Sequence, residues 1–322
     1  MKIGILMGGI SSEHAVSLMT GKEMAAHLDP SRYEAIPILI GRREELIEKA
    51  RGIDFALLAL HGAYGEDGVV QGTLETLGIP YSGSGVLASG LCMNKHMAKL
   101  LLRAEGIRTP NWICVRQVDG EACGLALKDI EAVHRMGYPV VVKPNNGGSS
   151  IGVRIACSEA ELQSAVREAW RWDATVLIEQ HIRGDEITCP ILNGELLPMM
   201  GIRPAVSEWF DYRAKYEDGG ADEFVLALPP EMDEQVRAAA LACYRILQCG
   251  VYARVDMIVK GGVPYVLEVN TLPGMTVNSL MPKSAGAAGI SFGELLHRII
   301  EGSLLERKKA WSTEQKQNQA LS

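Results

Sequence analysis

The sequence has little of what marks several classes of protein. It contains only 4 phenylalanines in 322 residues. No hydrophobic run approaches the ~18 to 20 residues that a membrane-spanning helix needs. It also lacks a cluster of lysine and arginine with interleaved aromatic residues, and its formal net charge is −7. Neither a membrane protein nor a nucleic-acid-binding protein is therefore expected, and any anionic ligand must be held by a few local basic groups.

Cysteine usage excludes two further kinds of site. The 7 cysteines are odd in number and scattered, and no two have the Cys-x-x-Cys spacing. This pattern predicts neither a disulfide framework nor a zinc site, so we expect mostly buried, reduced thiols. The chain begins with a strand-like segment rather than a signal peptide, and the expected location is therefore the cytoplasm.

The order of the predicted elements indicates an α/β protein. Hydrophobic residues make up 47% and charged residues 22%, and the length allows two or three domains. Strand-like and helix-like segments alternate at residues 2–7, 17–28, 33–40 and 53–60. Such alternation predicts a parallel sheet covered by helices, with ligands at the carboxyl ends of its strands. A second α/β unit is predicted over residues 94–179.

Polar residues follow two strands of the predicted parallel sheet. Glu13 comes after the first strand and two serines, so it is either a carboxylate in the first turn of a capped helix or a ligand-binding group. His61 comes after the buried strand at residues 53–60. It is either a hydrogen-bonded histidine of the core or a residue of the site.

A glycine- and serine-rich loop at residues 143–152 is the candidate phosphate-binding segment. It is not a Walker loop, because no Lys-Ser or Lys-Thr pair follows its glycines. Its glycines and serines nevertheless allow backbone N–H groups to close over phosphate oxygens, and Lys143 supplies a point charge. Lys95, on the preceding helix, would add a second positive charge. Glu186, beyond the strand at residues 174–179, could accept hydrogen bonds from adenine or ribose, although exposed turn carboxylates are common.

The segment at residues 254–276 predicts a hairpin with a polar face. Alternation places Arg254, Asp256, Glu268 and Asn270 on one face and Val255, Met257, Leu267 and Val269 in a core. For Asp256 to lie opposite Glu268 the loop must hold an odd number of residues, so residues 261–263 are expected to form a three-residue loop. Two carboxylates and an amide oxygen suit Mg²⁺. The alternative is the solvated face of an ordinary edge hairpin.

Taken in order, these motifs resemble those of the D-alanine–D-alanine ligases of the ATP-grasp superfamily, over residues 1–305. The resemblance is carried by residues 8–13 (GGISSE), 60–62 (LHG), 65–68 (GEDG), 81–85 (YSGSG), 143–150 (KPNNGGSS), 211–216 (DYRAKY), 254–256 (RVD) and 268–276 (EVNTLPGMT). It implies ATP-dependent ligation of two D-alanines through an acyl phosphate, for peptidoglycan synthesis.

The resemblance also implies an architecture and a set of partners. An N-terminal parallel-sheet domain is expected at residues 1–93, a central ATP-grasp lobe at 94–179 and a C-terminal lobe with the metal site at 180–305. A polar tail that we expect to fray follows at 306–322. ATP and two Mg²⁺ ions, for which Mn²⁺ can substitute, are the implied cofactors. D-Alanine is the implied substrate and a homodimer the expected assembly.

Individual roles follow from the same resemblance. The implied nucleotide-binding residues are Lys95, Lys143, Gly148, Ser149, Ser150, Glu179, Glu186 and Lys215. The implied metal ligands are Asp256, Glu268 and Asn270. The implied substrate-binding residues are Glu13, His61, Lys215 and Ser279. Catalysis would involve Glu13, Ser149, Tyr216, Arg254, Gly274 and Ser279.

Three of these residues, Glu13, Ser149 and Tyr216, are expected to form a hydrogen-bonded triad, and relatives that make D-alanyl-D-lactate replace this tyrosine. The polar, aromatic segment around Tyr216 has the composition of a loop that closes over a site. Two alternatives remain. One is a ligase with D-serine, D-lactate or an L-amino acid as second substrate, and the other is a non-catalytic nucleotide-binding regulator.

Overall fold

The computed structural model describes residues 1–117, 125–204 and 220–321, with side chains for residues 1–117, 125–203 and 220–309. The strands of these residues form one parallel and two antiparallel sheets. In the same residues no helix has the length and apolar character to cross a membrane. The mixed α/β class predicted from the sequence is confirmed.

The first sheet is parallel, as predicted, and has the order β2-β1-β3. Its strands are β1 (Lys2–Gly8), β2 (Glu34–Ile40) and β3 (Phe55–Leu58), and the helices of this part are α1 (His14–His27), α2 (Glu45–Lys49), α3 (Val69–Thr76) and α4 (Val86–Met93). Because β1 and β3 are neighbours, the segments that follow them meet at one edge of the sheet. Ser11 donates a hydrogen bond of 2.6 Å to the carbonyl oxygen of His61 there.

The second sheet is antiparallel and has the order β4-β7-β5-β6. Its elements in chain order are α5 (Lys95–Ala104), β4 (Trp112–Arg116), α6 (Leu127–Met136), β5 (Val140–Pro144), β6 (Arg154–Ala156), α7 (Glu159–Ala169) and β7 (Thr175–Gln180). Strand β7 pairs on both sides, so Val176, Leu177 and Ile178 are fully buried. The glycine- and serine-rich loop joins β5 to β6.

The third sheet is antiparallel, with the order β11-β10-β8-β12-β13 and β9 paired to β8. Its elements are β8 (Asp185–Leu192), β9 (Glu195–Leu196), β10 (Met200–Pro204), β11 (Ala221–Val225), α8 (Pro230–Ile246), β12 (Tyr252–Lys260), β13 (Val263–Asn270), α9 (Leu280–Ala287) and α10 (Phe292–Leu321). Val236 and Ala240 of α8 share one apolar core with Ala98 and Leu102 of α5. Helix α5 therefore packs against the third sheet.

The hairpin between β12 and β13 corrects one prediction. The three-residue loop is wrong: Lys260 pairs with Val263, and Gly261 and Gly262 alone form the turn, with φ of 56° and 80°. Both angles lie in the left-handed region that a two-residue type I′ turn requires and glycine tolerates. Asp256 still lies opposite Glu268, because the register shifts between Asp256 and Met257. A β-bulge thus supplies the extra residue that the turn does not.

The bulge also changes the side to which one hairpin residue points. Met257 pairs with Val266 and Asp256 pairs with Glu268, so Leu267 between them is the residue without a cross-strand partner. Val266 enters the core, whereas Leu267, which alternation had assigned to the core, lines the cavity described below. The core assignment of Leu267 is therefore wrong.

The prediction of a frayed tail at the end of the chain is also wrong. The backbone of α10 remains helical to Leu321, so the fraying expected over residues 306–322 is not found as far as that residue. Neither glycine nor proline occurs after Gly302, and the Glu, Arg, Lys, Gln and Ala of this stretch favour helix. The first turns of α10 place Leu295, Leu296 and Ile299 in the core of the parallel sheet.

The expectation of mostly buried thiols is confirmed for the cysteines that the structure describes. They are all free, and Cys92, Cys189, Cys243 and Cys249 are buried, Cys114 is half-buried and Cys157 is exposed. Burial raises the pKa of Cys243 to about 12. Burial also raises the pKa of Cys189. Cys123 lies outside the described residues.

Candidate active site

A cavity lies where the second and third sheets face each other. Its walls come from β5 and β7 on one side and from β8, β10, β12 and β13 on the other, with the loop after β5 at its edge. Many of the residues predicted from the sequence line it, namely Lys95, Lys143, Gly148, Ser150, Glu179, Glu186, Arg254, Asp256 and Glu268. The apolar part of the lining, which includes Ile202, Ile258 and Leu267, was not predicted as part of a site.

Asp256 is a carboxylate of the cavity that several side chains hold by hydrogen bonds. It accepts hydrogen bonds from Arg254 Nε at 2.9 Å and Nη2 at 2.8 Å, and from Asn270 Nδ2 at 2.9 Å. Thr188, which lies opposite it on β8, donates a further bond of 2.6 Å. Sequence patterns could not identify Thr188, because the register between β8 and β12 is fixed only by the folded sheet.

The donor set of this face fits a hard divalent cation. Asp256 and Glu268 are directly opposed, and like charges in such a pair repel unless a cation lies beside them. Basic side chains provide part of that compensation, with Arg254 on Asp256 and Lys95 Nζ 3.2 Å from Glu268 Oε2. Carboxylate and amide oxygens, the latter from Asn270, are ligands that Mg²⁺ prefers and Zn²⁺ does not.

Lys143 and Glu179 form a buried ion pair beside this face. Lys143 Nζ lies 2.9 Å from Glu179 Oε2, and Lys99 Nζ lies 3.1 Å from Glu179 Oε1. Burial alone would raise the pKa of Glu179, but the two ammonium groups more than offset it, and the pKa lies below the usual range of a glutamate. Glu179 is therefore an anion shared by two cations. Lys99 was not predicted from the sequence, although its i+4 spacing from Lys95 places both on one face of α5.

The loop after β5 joins the cavity to the parallel sheet. Ser149 and Ser150 have φ of 49° and 58°, so their backbone is in the left-handed region. Ser149 Oγ donates a short hydrogen bond to Glu13 Oε1. A Cβ on Gly148 would lie 2.7 Å from Glu13 Oε2, so a larger residue here would require the Glu13 carboxylate to shift. The structure thus brings together two of the three residues predicted to form a triad.

Glu13 occupies the N-cap position of α1, but its side chain makes no capping hydrogen bond. Of the two interpretations of the sequence, the capping one therefore fails. Burial, and then the nearby charge of Glu66, raise the pKa of Glu13, whereas the bond from Ser149 lowers it. The side chain is only 6% exposed. A buried carboxylate with a raised pKa binds a cationic group favourably because that group removes the cost of burying the charge.

His61 is held by two neighbours and is buried. Its Nε2 lies 3.0 Å from Thr20 Oγ1, and its Nδ1 lies 3.5 Å from Glu66 Oε1. These contacts are those of a hydrogen-bonded histidine, and they orient its ring beside the Glu13 region.

The remaining predicted residues lie in the turn before α9 or outside the described chain. Ser279 Oγ accepts a bond of 3.1 Å from the Thr276 backbone and lies 2.8 Å from Thr276 Oγ1. A Cβ on Gly274 would lie 2.9 Å from Ser279 Oγ, so this turn is tightly packed. Among the described side chains, no hydrogen bond joins this turn to Glu13. Lys215 and Tyr216 lie outside the described residues.

Comparison with known proteins identifies the family of the chain. The family model "D-ala D-ala ligase C-terminus" matches residues 101–301, and "D-ala D-ala ligase N-terminus" matches residues 2–50 and 42–84. A D-alanine–D-alanine ligase of Bacillus anthracis is 55% identical over 309 residues, which cover 96% of this chain and 99% of that protein.

Solved structures agree with the sequence comparison. The crystal structure of the Bacillus anthracis ligase complexed with ATP has a TM-score of 0.86 and 52% identity, covering 96% of this chain and 99% of that one. The VanG D-Ala:D-Ser ligase of Enterococcus faecalis has a TM-score of 0.78 and 29% identity, covering 94% and 99%. This chain belongs to the D-alanine–D-alanine ligase family.

Proposed function

We propose that this chain joins two molecules of D-alanine into D-alanyl-D-alanine while ATP is converted to ADP and phosphate. The observation that carries the proposal is the hydrogen bond between Ser149 and Glu13, because it joins the loop at the edge of the cavity to the carboxylate proposed to bind substrate. Full-length similarity to D-alanine–D-alanine ligases supports it. The product dipeptide serves peptidoglycan synthesis.

The first step must make a carboxylate reactive. A carboxylate does not react with an amine, because oxide would have to leave, so the terminal phosphoryl group of ATP is first transferred to it. Both partners in this transfer are anions, and Lys95, Lys143 and Arg254 are the basic groups that line the cavity where they would meet. Their role is to offset the repulsion and to stabilise the charge of the transferring phosphoryl group.

Asp256, Glu268 and Asn270 would hold Mg²⁺. The ion would supply further positive charge next to the phosphates when bound. Thr188 and Arg254 hold the Asp256 carboxylate in one orientation by hydrogen bonds, so that group is positioned before any ligand arrives.

The second step joins the two amino acids. Glu13 would hold the ammonium group of the first D-alanine, and Ser149 would fix the Glu13 carboxylate in place. The neutral amine of the second D-alanine then attacks the acyl phosphate, a C–N bond forms, phosphate leaves with the C–O electron pair, and the amine nitrogen gives up one proton to the departing phosphate. Arg254 and the backbone N–H of Gly274 are the proposed donors to the tetrahedral oxyanion, and removing one such donor typically costs about 3 to 4 kcal/mol.

Phosphate release measured with ATP, Mg²⁺ and D-alanine tests this function, and L-alanine is the control. We expect release only with D-alanine, together with a product that co-migrates with D-alanyl-D-alanine in chromatography. Release with D-alanine plus D-serine or D-lactate, at a rate above that with D-alanine alone, would favour the alternative second substrate. Identity of 55% to a D-alanine–D-alanine ligase, against 29% to the D-Ala:D-Ser ligase, argues against that alternative.

The nucleotide-binding regulator is not supported. It would bind ATP without releasing phosphate with any pair of amino acids, so the same assay separates it from a ligase. We also propose that the chain acts in the cytoplasm and as a homodimer. Light scattering on the purified chain tests the second of these.

A further inference from the structure

We propose that Lys99 is a positioning residue for ATP: it shares the charge of Glu179 and thereby leaves Lys143 able to bind phosphate. The proposal rests on the proposed function, since it concerns the nucleotide of that reaction. It is carried by a row of three buried charged groups, of which Lys99, Glu179 and Lys143 are 1%, 2% and 7% exposed.

The geometry of the row gives each group a different task. Glu179 lies between the two ammonium groups, at 3.1 Å from Lys99 and 2.9 Å from Lys143. Lys143 lines the cavity, whereas Lys99 does not. Because Lys99 is buried and forms its ion pair with Glu179, we expect its effect on a nucleotide in the cavity to pass through Glu179.

The charges explain why two lysines are needed for one carboxylate. A single Glu179–Lys143 pair would be neutral, and Glu179 would hold the Lys143 ammonium away from an approaching phosphate. With Lys99 present the row has a net charge of +1, and Glu179 remains compensated when Lys143 turns toward the phosphates. Burial strengthens both effects, because a buried anion without a partner is far more costly than an exposed one.

Neighbouring side chains hold Lys99 in place. Its ammonium donates a short hydrogen bond to Thr109 Oγ1 and lies 5.2 Å from the centroid of the Trp112 ring. Trp112 Nε1 in turn donates to His96 Nδ1 at 2.9 Å. These contacts orient Lys99 from α5 and β4, so its position does not depend on Glu179 alone.

Titration of Lys99 provides a second signature. Burial lowers its pKa to about 8, an effect that Lys143 and Arg103 reinforce and that Glu179 opposes. A lysine with a lowered pKa is charged below that value and becomes neutral above it. The KM for ATP should therefore rise as the pH increases through about 8, because the net charge of the row falls from +1 to zero.

Steady-state kinetics on Lys99→Met test the proposal, with Arg103→Met as the matched control. Arg103 lies one turn further along α5 and stacks on the same Trp112 ring at 4.0 Å, but it makes no ion pair with Glu179. We expect Lys99→Met to raise the KM for ATP about tenfold at neutral pH and to leave the KM for D-alanine unchanged. Arg103→Met should leave both constants unchanged. A KM for ATP that stays at the wild-type value in folded Lys99→Met would overturn the proposal.

Two further measurements separate positioning from a structural role. In wild type the KM for ATP should rise above about pH 8, and in Lys99→Met that rise should be absent; a wild-type KM that is flat up to pH 9 overturns the proposal even if the variant does not fold. In a Glu179→Gln background the Lys99→Met change should no longer affect ATP, and an undiminished effect there also overturns it.

The binding constant for ATP, measured by isothermal titration calorimetry on each protein without amino acid, distinguishes this inference from the proposed ligation. If the wild type binds ATP but releases no phosphate with D-alanine, the proposed function fails, and the binding constants still test Lys99. If the wild type ligates D-alanine and Lys99→Met binds ATP as tightly as wild type does, only the inference about Lys99 fails.

Discussion

Replacing Glu268 by glutamine separates the charge of the proposed metal ligand from its shape. Glutamine keeps an oxygen that can accept a hydrogen bond from Lys95, but it removes the negative charge opposite Asp256. The separation of 3.2 Å between Lys95 and Glu268 corresponds to a gross attraction of about 5 kcal/mol at an effective dielectric constant near 20.

Most of that attraction does not appear as stability. Both charges lose hydration on folding, and the Glu268 side chain is 24% exposed, so the net loss should be about 1 kcal/mol. For a chain of this length such a loss lowers the melting temperature by about 2 °C. Turnover should fall much further, by about 1000-fold, or about 4 kcal/mol of transition-state stabilisation, because a ligand of the proposed Mg²⁺ is weakened.

The assay compares phosphate release and thermal unfolding for the wild type, Glu268→Gln and Asp233→Asn. The last variant removes a carboxylate from the ion pair with Arg237 on α8 and should leave turnover unchanged. Glu268→Gln should also require more Mg²⁺ for half-maximal protection against unfolding in the presence of ATP, which is a readout independent of turnover. Turnover within tenfold of wild type, at the same Mg²⁺ requirement, would refute the assignment of Glu268 as a metal ligand.

Four further predictions concern other parts of the chain. Ser149→Ala should raise the KM for D-alanine about tenfold with unchanged thermal unfolding, because Glu13 loses the donor that fixes it; an unchanged KM contradicts this. Tyr216→Phe should increase the use of D-lactate relative to D-alanine, and an unchanged preference removes Tyr216 from specificity. Binding of D-alanine should weaken as the pH falls, starting above the usual range of a glutamate, because burial and Glu66 raise the pKa of Glu13 and the protonated acid no longer attracts an ammonium group. A KM for D-alanine that stays constant until the pH reaches the usual pKa range of a glutamate would disprove this prediction. Gly184→Ala should lower the free energy of unfolding by about 1 to 3 kcal/mol, measured by urea denaturation, because its Cβ would overlap the carbonyl oxygen of Val259.

Local patterns predicted the parallel sheet, and they singled out many of the polar residues that line the cavity. The alternation of segments over residues 1–93 predicted the parallel sheet, in which β1 and β3 are buried on both sides and β2 is partly exposed. Glu13 and His61 were singled out because parallel strands end at one edge of a sheet. Contacts between distant segments were not readable, since nothing in the sequence states that Thr188 pairs with Asp256 or that Lys99 meets Glu179.

The hairpin shows how two carboxylates can be opposed as predicted although the predicted loop is wrong. Parity requires one unpaired residue somewhere between Asp256 and Glu268 if the two are to be opposed, but it does not say where. Two glycines in sequence favour the two-residue turn, since both can adopt a positive φ, and this moves the unpaired residue into the strand as a bulge at Leu267. The bulge turns Leu267 out of the core and into the cavity beside the carboxylates. A bulge in place of a longer loop therefore adds an apolar group next to the proposed metal ligands, and Leu267→Ala should change nucleotide binding more than core stability.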